Sequence, residues 1–192
     1  MMGQIRIDRN AFPYPMPMVL VGADAGGRAN FMPVAWVSRV NFNPPMIAVA
    51  ISRGHFTNGG IRSSRAFSVG IPPVSIIDRV DYCGIISGSR TDKSRLFTVV
   101  TGEETGAPMA GECSVNMECR LVQTVELPTN DIFIGEIVGA YADPSCCPDG
   151  RPDITRIRPY TLTMPDNRYW ETGQDAGRAW DARRSQGLHP HV

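Results

Sequence analysis

Short apolar runs separated by turns rich in proline, glycine and asparagine restrict the fold of this chain more than any other feature. β-branched and aromatic residues cluster in these runs, as is typical of strands. The run at 46–51 is apolar throughout, which predicts a strand buried on both faces. The predicted strands cover residues 18–22, 32–40, 46–51, 66–71, 116–127, 132–141 and 160–164. A set of this kind predicts a mainly β domain.

Helical signals are fewer and shorter than the strand signals. Thr57 predicts the N-cap of a helix over residues 58–64, and Asp92 predicts the cap of a short turn. A further helix is predicted over residues 75–82. Strands and helices do not alternate as they do in β-α-β units. The pattern therefore predicts an antiparallel barrel or sandwich with short helices.

Length and charge limit the class of protein. The 192 residues suit one domain, placed at 1–170, followed by a polar tail or dimer arm at 171–192. The 19 basic and 19 acidic residues balance, which gives no electrostatic footprint for nucleic acid. No run reaches the roughly 18 apolar residues needed to cross a membrane, and the N-terminus lacks a signal core. We therefore expect a cytoplasmic protein with no nucleic-acid or membrane partner.

The five cysteines favour neither a disulfide framework nor a metal site. Their number is odd and none forms a C-x-x-C pair, so we expect no metal and mostly buried or free thiols. A nucleophilic role for Cys119 is not favoured, because no His or Lys lies near it in the sequence to generate the thiolate.

Two polar segments that each follow an apolar run, 52–58 and 87–93, offer the groups that a phosphate needs. Several N–H or O–H donors and one or two cations bind a dianion, and a helix N-terminus adds free N–H groups. Read alone, the same residues also fit a capped helix start and a surface loop. The candidate residues are Ser52, Arg53, His55, Thr57, Asn58, Ser87, Gly88 and Lys93.

A third segment, residues 30–37, combines small and aromatic side chains suited to lie against a flat ring. Its candidates are Asn30, Met32, Val34, Ala35 and Trp36. Taken alone, Trp36 fits an aromatic residue of the core better than a ring platform, and only its neighbours in the segment favour the platform. A phosphate site beside a ring platform predicts a flavin or another planar nucleotide.

The order and spacing of these segments resemble the flavin reductase-like FMN-binding family of the flavoredoxin type. The matching positions are Asn30 with Trp36, Pro44-Pro45, residues 52–58, Cys83-Gly84, Ser87-Gly88, Asp92-Lys93, Ala107-Pro108, Glu118-Cys119 and residues 134–137. The resemblance covers residues 12–165 and implies a mainly β, Greek-key split β-barrel that binds FMN. In the hairpin that it implies around Glu118, we expect the polar side chains to face outward. It also places His55 beside the phosphate or ribityl chain of the cofactor.

The resemblance implies a flavoprotein oxidoreductase that passes electrons from NAD(P)H through FMN to a flavin, metal or protein acceptor. The chain has no G-x-G-x-x-G fingerprint after a strand, so NAD(P)H would dock transiently. A homodimer is implied as well, and no catalytic residue is assigned. Two alternatives remain: a flavoredoxin-like carrier reduced by a protein partner, and a flavin-free thiol enzyme using Cys119 or Cys83.

Overall fold

The computed structural model describes residues 3–179, which form twelve strands, three helices and three short 3₁₀ turns. The strands are β1 (Met16–Pro17), β2 (Val19–Asp24), β3 (Ala29–Val34), β4 (Val37–Asn41), β5 (Met46–Ser52), β6 (Ala66–Ile71), β7 (Val99–Thr101), β8 (Pro108–Ala110), β9 (Val115–Glu126), β10 (Asn130–Ala142), β11 (Tyr160–Thr163) and β12 (Arg168–Glu171). The helices are α1 (Phe56–Ser64), α2 (Ile77–Ile85) and α3 (Ile154–Ile157). The 3₁₀ turns are Val74–Ile76, Lys93–Leu96 and Pro144–Cys146.

The main sheet has seven antiparallel strands in the order β3-β2-β6-β9-β10-β5-β4. Its two edge strands, β3 and β4, are consecutive in the chain and are joined only by Ala35 and Trp36. The three Cα–Cα steps from Val34 to Val37 can span at most about 11 Å. The sheet must therefore curl until its two edges almost meet, as a barrel split between β3 and β4.

The core fills the inside of this curled sheet. Alternate residues of β5 (Ile47, Val49 and Ile51) are buried there, together with Phe67 of β6 and Ile61 of α1. The prediction that residues 46–51 are buried on both faces is wrong, because the intervening residues of β5 are only half-buried. On that second face of β5, Ala50 and Ser52 border a cavity.

A second apolar cluster packs α2 against the outside of β2 and β3. Leu20 and Phe31 meet Val80 and Cys83 of the helix, and the rings of Phe31 and Phe97 are 5.2 Å apart, edge to face. Strand β2 is thus buried on both faces. The packing fixes α2 and the loop that follows it relative to β3.

Several boundaries differ from the sequence-based expectation. The single strand predicted at 32–40 is two strands, because the chain leaves β2 after Val34 and joins β5 at Val37. Helix α1 begins at Phe56 with His55 as its N-cap, and not with Thr57. The Thr57 hydroxyl is used instead as an acceptor for the side-chain amide of Asn30.

Other elements follow the prediction closely or were not predicted. Strand β6 has the predicted bounds, β9 and β10 form the predicted hairpin, and Asp92 caps its turn by accepting from the Ser94 N–H. The short strands β1, β7, β8 and β12 carry no clear sequence signal. In the proposed tail, Glu171 ends β12, whereas residues 180–192 lie outside the described part of the chain.

Within residues 3–179, no helix has the length and apolar character needed to cross a membrane.

Glu118 contradicts the expectation that the polar residues of the hairpin face outward. It is fully buried in β9, where its carboxylate accepts hydrogen bonds from the Glu104 and Thr105 N–H groups, the Thr105 hydroxyl and the Tyr141 hydroxyl. Burial raises the pKa of Glu118, but these donors outweigh that effect and hold the pKa below its ordinary value of 4.5. The carboxylate therefore pins the loop between β7 and β8 to the sheet.

Replacing Glu118 by glutamine is expected to lower the free energy of unfolding by roughly 1–3 kcal/mol at pH 7. The new amide N–H group would face hydrogen-bond donors that now point at an oxygen. Because the folded-state pKa is depressed, the contribution of Glu118 is present above about 4.5 and is lost as the pH falls through the folded-state value. Denaturant titrations at pH 7 and pH 4 should therefore show a smaller difference at pH 4.

Glu136→Gln is the matched control, because Glu136 lies on β10 and is only half-buried. An equal loss of stability in both variants would contradict this role of Glu118.

Candidate functional site

A cavity of about 390 Å³ opens between β3, the start of α1 and the loop after α2. We call it the cationic cavity because the cationic residue Lys93 lines it. His55 also lines it. The remaining lining residues are Met32, Pro33, Gly54, Phe56, Thr57, Gly84, Ile85, Ile86, Ser87 and Gly88.

Lys93 is only 5% exposed, although it is a lysine at the start of a short 3₁₀ turn. Its Nζ donates to the Cys83 carbonyl at 2.7 Å, and no carboxylate of residues 3–179 lies within ion-pair distance of it. Burial lowers the pKa of Lys93. A buried ammonium group without a counter-ion is costly, so this cavity favours an anion.

The start of α1 adds neutral donors to the same cavity. In the first turn of a helix the backbone N–H groups have no intrahelical acceptor, and the helix dipole favours an anion. Here the N-cap residue His55 provides no side-chain cap. The Asn58 N–H donates to the His55 carbonyl, so the Phe56 and Thr57 N–H groups are the ones without a backbone acceptor in the described chain. Burial, and to a smaller extent the charge of Lys93, lowers the pKa of His55. Both effects favour the neutral imidazole in the free protein.

The floor of the cavity is held by a close contact between β3 and the loop after α2. A Cβ atom on Gly88 would lie 2.0 Å from Oδ1 of Asn30, so only glycine allows this approach. Asn30 is 2% exposed, and its amide donates to the Thr57 hydroxyl at 2.8 Å. Arg28 donates to the Gly88 carbonyl at 2.8 Å, which fixes the loop from outside.

A buried carboxylate, Asp131, fixes the segment that carries Gly54 to Thr57. One of its oxygens accepts from Arg53 at 3.0 Å, and the other accepts from Asn58 and from Arg62, both at 2.8 Å. Asp131 thus holds the segment at both ends. Burial raises the pKa of Asp131, but the hydrogen bonds from Arg62, Asn58 and Arg53 outweigh it, so the pKa lies below its ordinary value.

A second cavity of about 310 Å³ lies along the end of β3, and we call it the platform cavity. Trp36, which is 48% exposed, lies at its edge, and the Ala50 N–H donates to the Trp36 carbonyl at 2.9 Å. Met32, Pro33 and His55 line both cavities, so the two are adjacent. The other lining residues are Val34, Ala35, Ala50, Ser52 and Asn130.

The structure brings most of the predicted site residues together. Ten of them line the two adjacent cavities, and Asn30 lies directly beneath Gly88. Two lie elsewhere: the Arg53 and Asn58 side chains are bound to Asp131. The ten are Met32, Val34, Ala35, Trp36, Ser52, His55, Thr57, Ser87, Gly88 and Lys93.

Sequence reasoning missed the residues that act over long distances in the chain. Arg28 reaches a loop 60 residues away and Asp131 reaches Asn58 across 73 residues, separations that leave no local pattern. Gly84 has a local signal, since it follows Cys83 in the motif. Its role is packing, because a Cβ atom there would lie 2.8 Å from the Pro33 ring.

The cysteines are poorly placed for nucleophilic chemistry. Cys119 and Cys83 are fully buried. Burial raises the pKa of Cys119 to about 12 and that of Cys83 to about 11. Both thiols are therefore protonated at neutral pH, which leaves the flavin-free thiol enzyme without structural support. Within residues 3–179, no group of three or more His, Cys, Asp or Glu side chains is arranged to hold a metal ion.

The chemistry of the site is that of binding. One end offers a buried cation and free N–H groups for a dianion, and the adjacent end offers a largely apolar surface that includes Trp36. Among the described lining residues, no carboxylate lies next to His55 to form an acid–base pair.

Comparison with known proteins agrees with this geometry. The chain is 48% identical to flavoredoxin from Methanosarcina acetivorans, whose crystal structure superimposes with a TM-score of 0.93 over 95% of this chain and 98% of that one. Flavoredoxin of Desulfovibrio vulgaris (Miyazaki F) is 34% identical, with a TM-score of 0.84 over 93% of this chain and 99% of that one. The FMN reductase (NADH) RutF of Bradyrhizobium diazoefficiens is 25% identical over 116 residues, which are 59% of this chain and 62% of that protein.

These similarities confirm the predicted fold, that of the flavoredoxin-type split barrels, and they confirm FMN as the cofactor expected for the family. Residues 11–150 match the model of the flavin reductase like domain. The chain belongs to the flavin reductase-like family.

Proposed function

We propose that this protein is an FMN-binding flavoprotein oxidoreductase, in which NAD(P)H reduces the bound flavin and a flavin, metal or protein acceptor then takes the electrons. The observation that carries the proposal is Lys93, a buried cation without a carboxylate partner in the described chain, lining a cavity that adjoins the largely apolar platform cavity. The RutF relative, an FMN reductase that uses NADH, supports the choice of reductant.

The residues present fit FMN bound with its phosphate in the cationic cavity and its ring in the platform cavity. Lys93, His55 and the first-turn N–H groups of α1 would hold the phosphate, and Ser87 would add a hydroxyl. The platform cavity, with Ala35 and Trp36, would take the flavin ring. One FMN molecule could occupy both positions at once, because the two cavities are adjacent and share part of their lining.

FMN supplies the electron chemistry when it is bound. The protein's residues have three tasks: to hold the phosphate, to orient the ring and to limit the access of water. Asp131 contributes to the first task by fixing the segment that carries His55 and Thr57. Trp36 contributes to the last because its side chain lies at the open edge of the platform.

Replacing Lys93 by methionine is expected to weaken FMN binding by about 10- to 100-fold, the range for losing a charge-assisted hydrogen bond. Methionine keeps most of the length of the side chain, so the packing changes little. Fluorescence titration of FMN into the apoprotein measures the dissociation constant.

Arg95→Gln is the matched control for this experiment. Arg95 lies two residues away on the same turn, and its side chain is 86% exposed. An unchanged dissociation constant in Lys93→Met, or an equal change in both variants, would contradict the proposed position of the phosphate.

His55 predicts how the affinity for FMN depends on pH. Burial and Lys93 hold its pKa below 6.5 in the free protein, and a bound dianion would raise it again. Binding then takes up a proton, so the affinity of the wild type should rise relative to His55→Gln as the pH falls through the raised pKa that His55 has in the complex. Taking the ratio of the two constants removes the titration of the FMN phosphate itself. A ratio independent of pH would contradict a contact between His55 and the phosphate.

A flavoredoxin-like electron carrier, reduced by a protein partner, is the second candidate function. It is favoured by the 48% identity to a flavoredoxin along nearly the whole of both chains. Both candidates use the same FMN site and a homodimer, and they differ in the electron donor.

The donor is tested by adding NADH or NADPH to the FMN-loaded protein without oxygen. Bleaching of the flavin bands within seconds by either nucleotide is the result expected for the reductase. Bands that persist until dithionite is added would contradict the reductase and favour the carrier.

A further inference from the structure

The N-terminal segment, residues 10–17, forms one wall of a third cavity of about 600 Å³, which we call the N-terminal cavity. The segment is held at its end, where β1 pairs with β11, and by a hydrogen bond from the Tyr14 hydroxyl to the Met164 carbonyl. Phe12 and Pro13 line the cavity from this side. The segment is thus a built wall and not a free end.

The opposite wall is the connection between β3 and β4. Ala35 and Trp36 line both the N-terminal cavity and the platform cavity, so the two spaces adjoin at the proposed position of the flavin ring. A molecule in the N-terminal cavity would therefore lie beside that ring. Ligand cavities for small molecules fall in the range of about 300–1,000 Å³, which includes this one.

The lining of the N-terminal cavity differs in charge from that of the cationic cavity. None of its eleven lining residues is Lys, Arg, His, Asp or Glu, and its polar side chains are Asn10 and Ser38. A phosphate or carboxylate moved into it would lose water and gain no counter-ion, which is costly. Aromatic side chains, Phe12 and Trp36, stand on its two walls, and aromatic rings favour stacking with other planar groups.

We infer that the N-terminal cavity docks an uncharged, planar aromatic molecule beside the proposed flavin ring, a class of ligand distinct from the nicotinamide donor and from the acceptors named above. The inference rests on the proposed function, because the flavin ring must occupy the platform cavity for the two molecules to lie side by side. It assigns Phe12 as a specificity-determining residue for the docked molecule.

A matched pair of probes tests the charge preference. Nitrobenzene is uncharged and planar, and 4-nitrobenzoate has the same ring with a carboxylate. Equilibrium dialysis against the oxidised, FMN-loaded protein measures binding without a chemical step, and the visible bands of the bound FMN report a molecule placed beside the ring. We expect nitrobenzene to bind at least about tenfold more tightly than 4-nitrobenzoate and to shift those bands.

Variants locate the site. Phe12→Ala should weaken nitrobenzene binding about tenfold while the FMN content is unchanged. Phe42→Ala is the control, because Phe42 is 91% exposed and does not line the cavity. Equal binding of the two probes, or retention of nitrobenzene affinity in Phe12→Ala, would overturn the inference.

Two further measurements separate two ways in which the inference could fail. In the first the protein does not retain FMN, and in the second another copy of the chain covers the wall formed by residues 10–17. Failure of the wild type to retain FMN would overturn the proposed function itself, and the FMN content of each sample reports this before any probe is added. Analytical ultracentrifugation tests whether Phe12→Ala dissociates an oligomer. If it does, and probe binding is unchanged, a second copy of the chain covers this wall and the inference is overturned.

Discussion

The two-residue connection between β3 and β4 is the constraint on which the rest of the structure depends. These strands are the opposite edges of a seven-stranded sheet, yet they are consecutive in the chain. The sheet must curl to let Ala35 and Trp36 bridge its edges, and the curled sheet encloses a single apolar core. At Ala35 and Trp36 the backbone is outside the strands of the sheet and borders the platform and N-terminal cavities. Fold closure and the ring platform are therefore consequences of the same connection.

The cavities on the two sides of this connection differ in charge. The cationic cavity carries Lys93 without a carboxylate partner in the described chain, whereas nearby Arg53 and Arg62 are bound to Asp131. Leaving a lysine buried and unpaired costs stability, and an anionic ligand would recover that cost. The N-terminal cavity on the other side of Trp36 has no charged lining residue. A molecule with one dianionic end and one flat end can therefore bind in only one direction.

Much of the fold, and much of the lining of the candidate site, could be predicted from the sequence because the signals were local. The strand at 66–71 and the hairpin of β9 and β10 follow from apolar runs bounded by turn residues, and His55, Thr57, Ser87 and Lys93 lie in short polar segments. Non-local interactions could not be predicted. The local sequence predicts Thr57 as an N-cap, but its hydroxyl instead accepts a hydrogen bond from the side-chain amide of Asn30. Glu118 is a charged residue of the kind that normally faces solvent. It is covered by the loop between β7 and β8, whose Glu104 lies 14 residues earlier in the chain.

A crystal structure of the protein grown with FMN tests the central claim most directly. We predict that the phosphate lies within hydrogen-bond distance of Lys93 Nζ and the first-turn N–H groups of α1, with the ring along Ala35 and Trp36. A phosphate bound elsewhere, with Lys93 still bonded only to the Cys83 carbonyl, would contradict this account of the site.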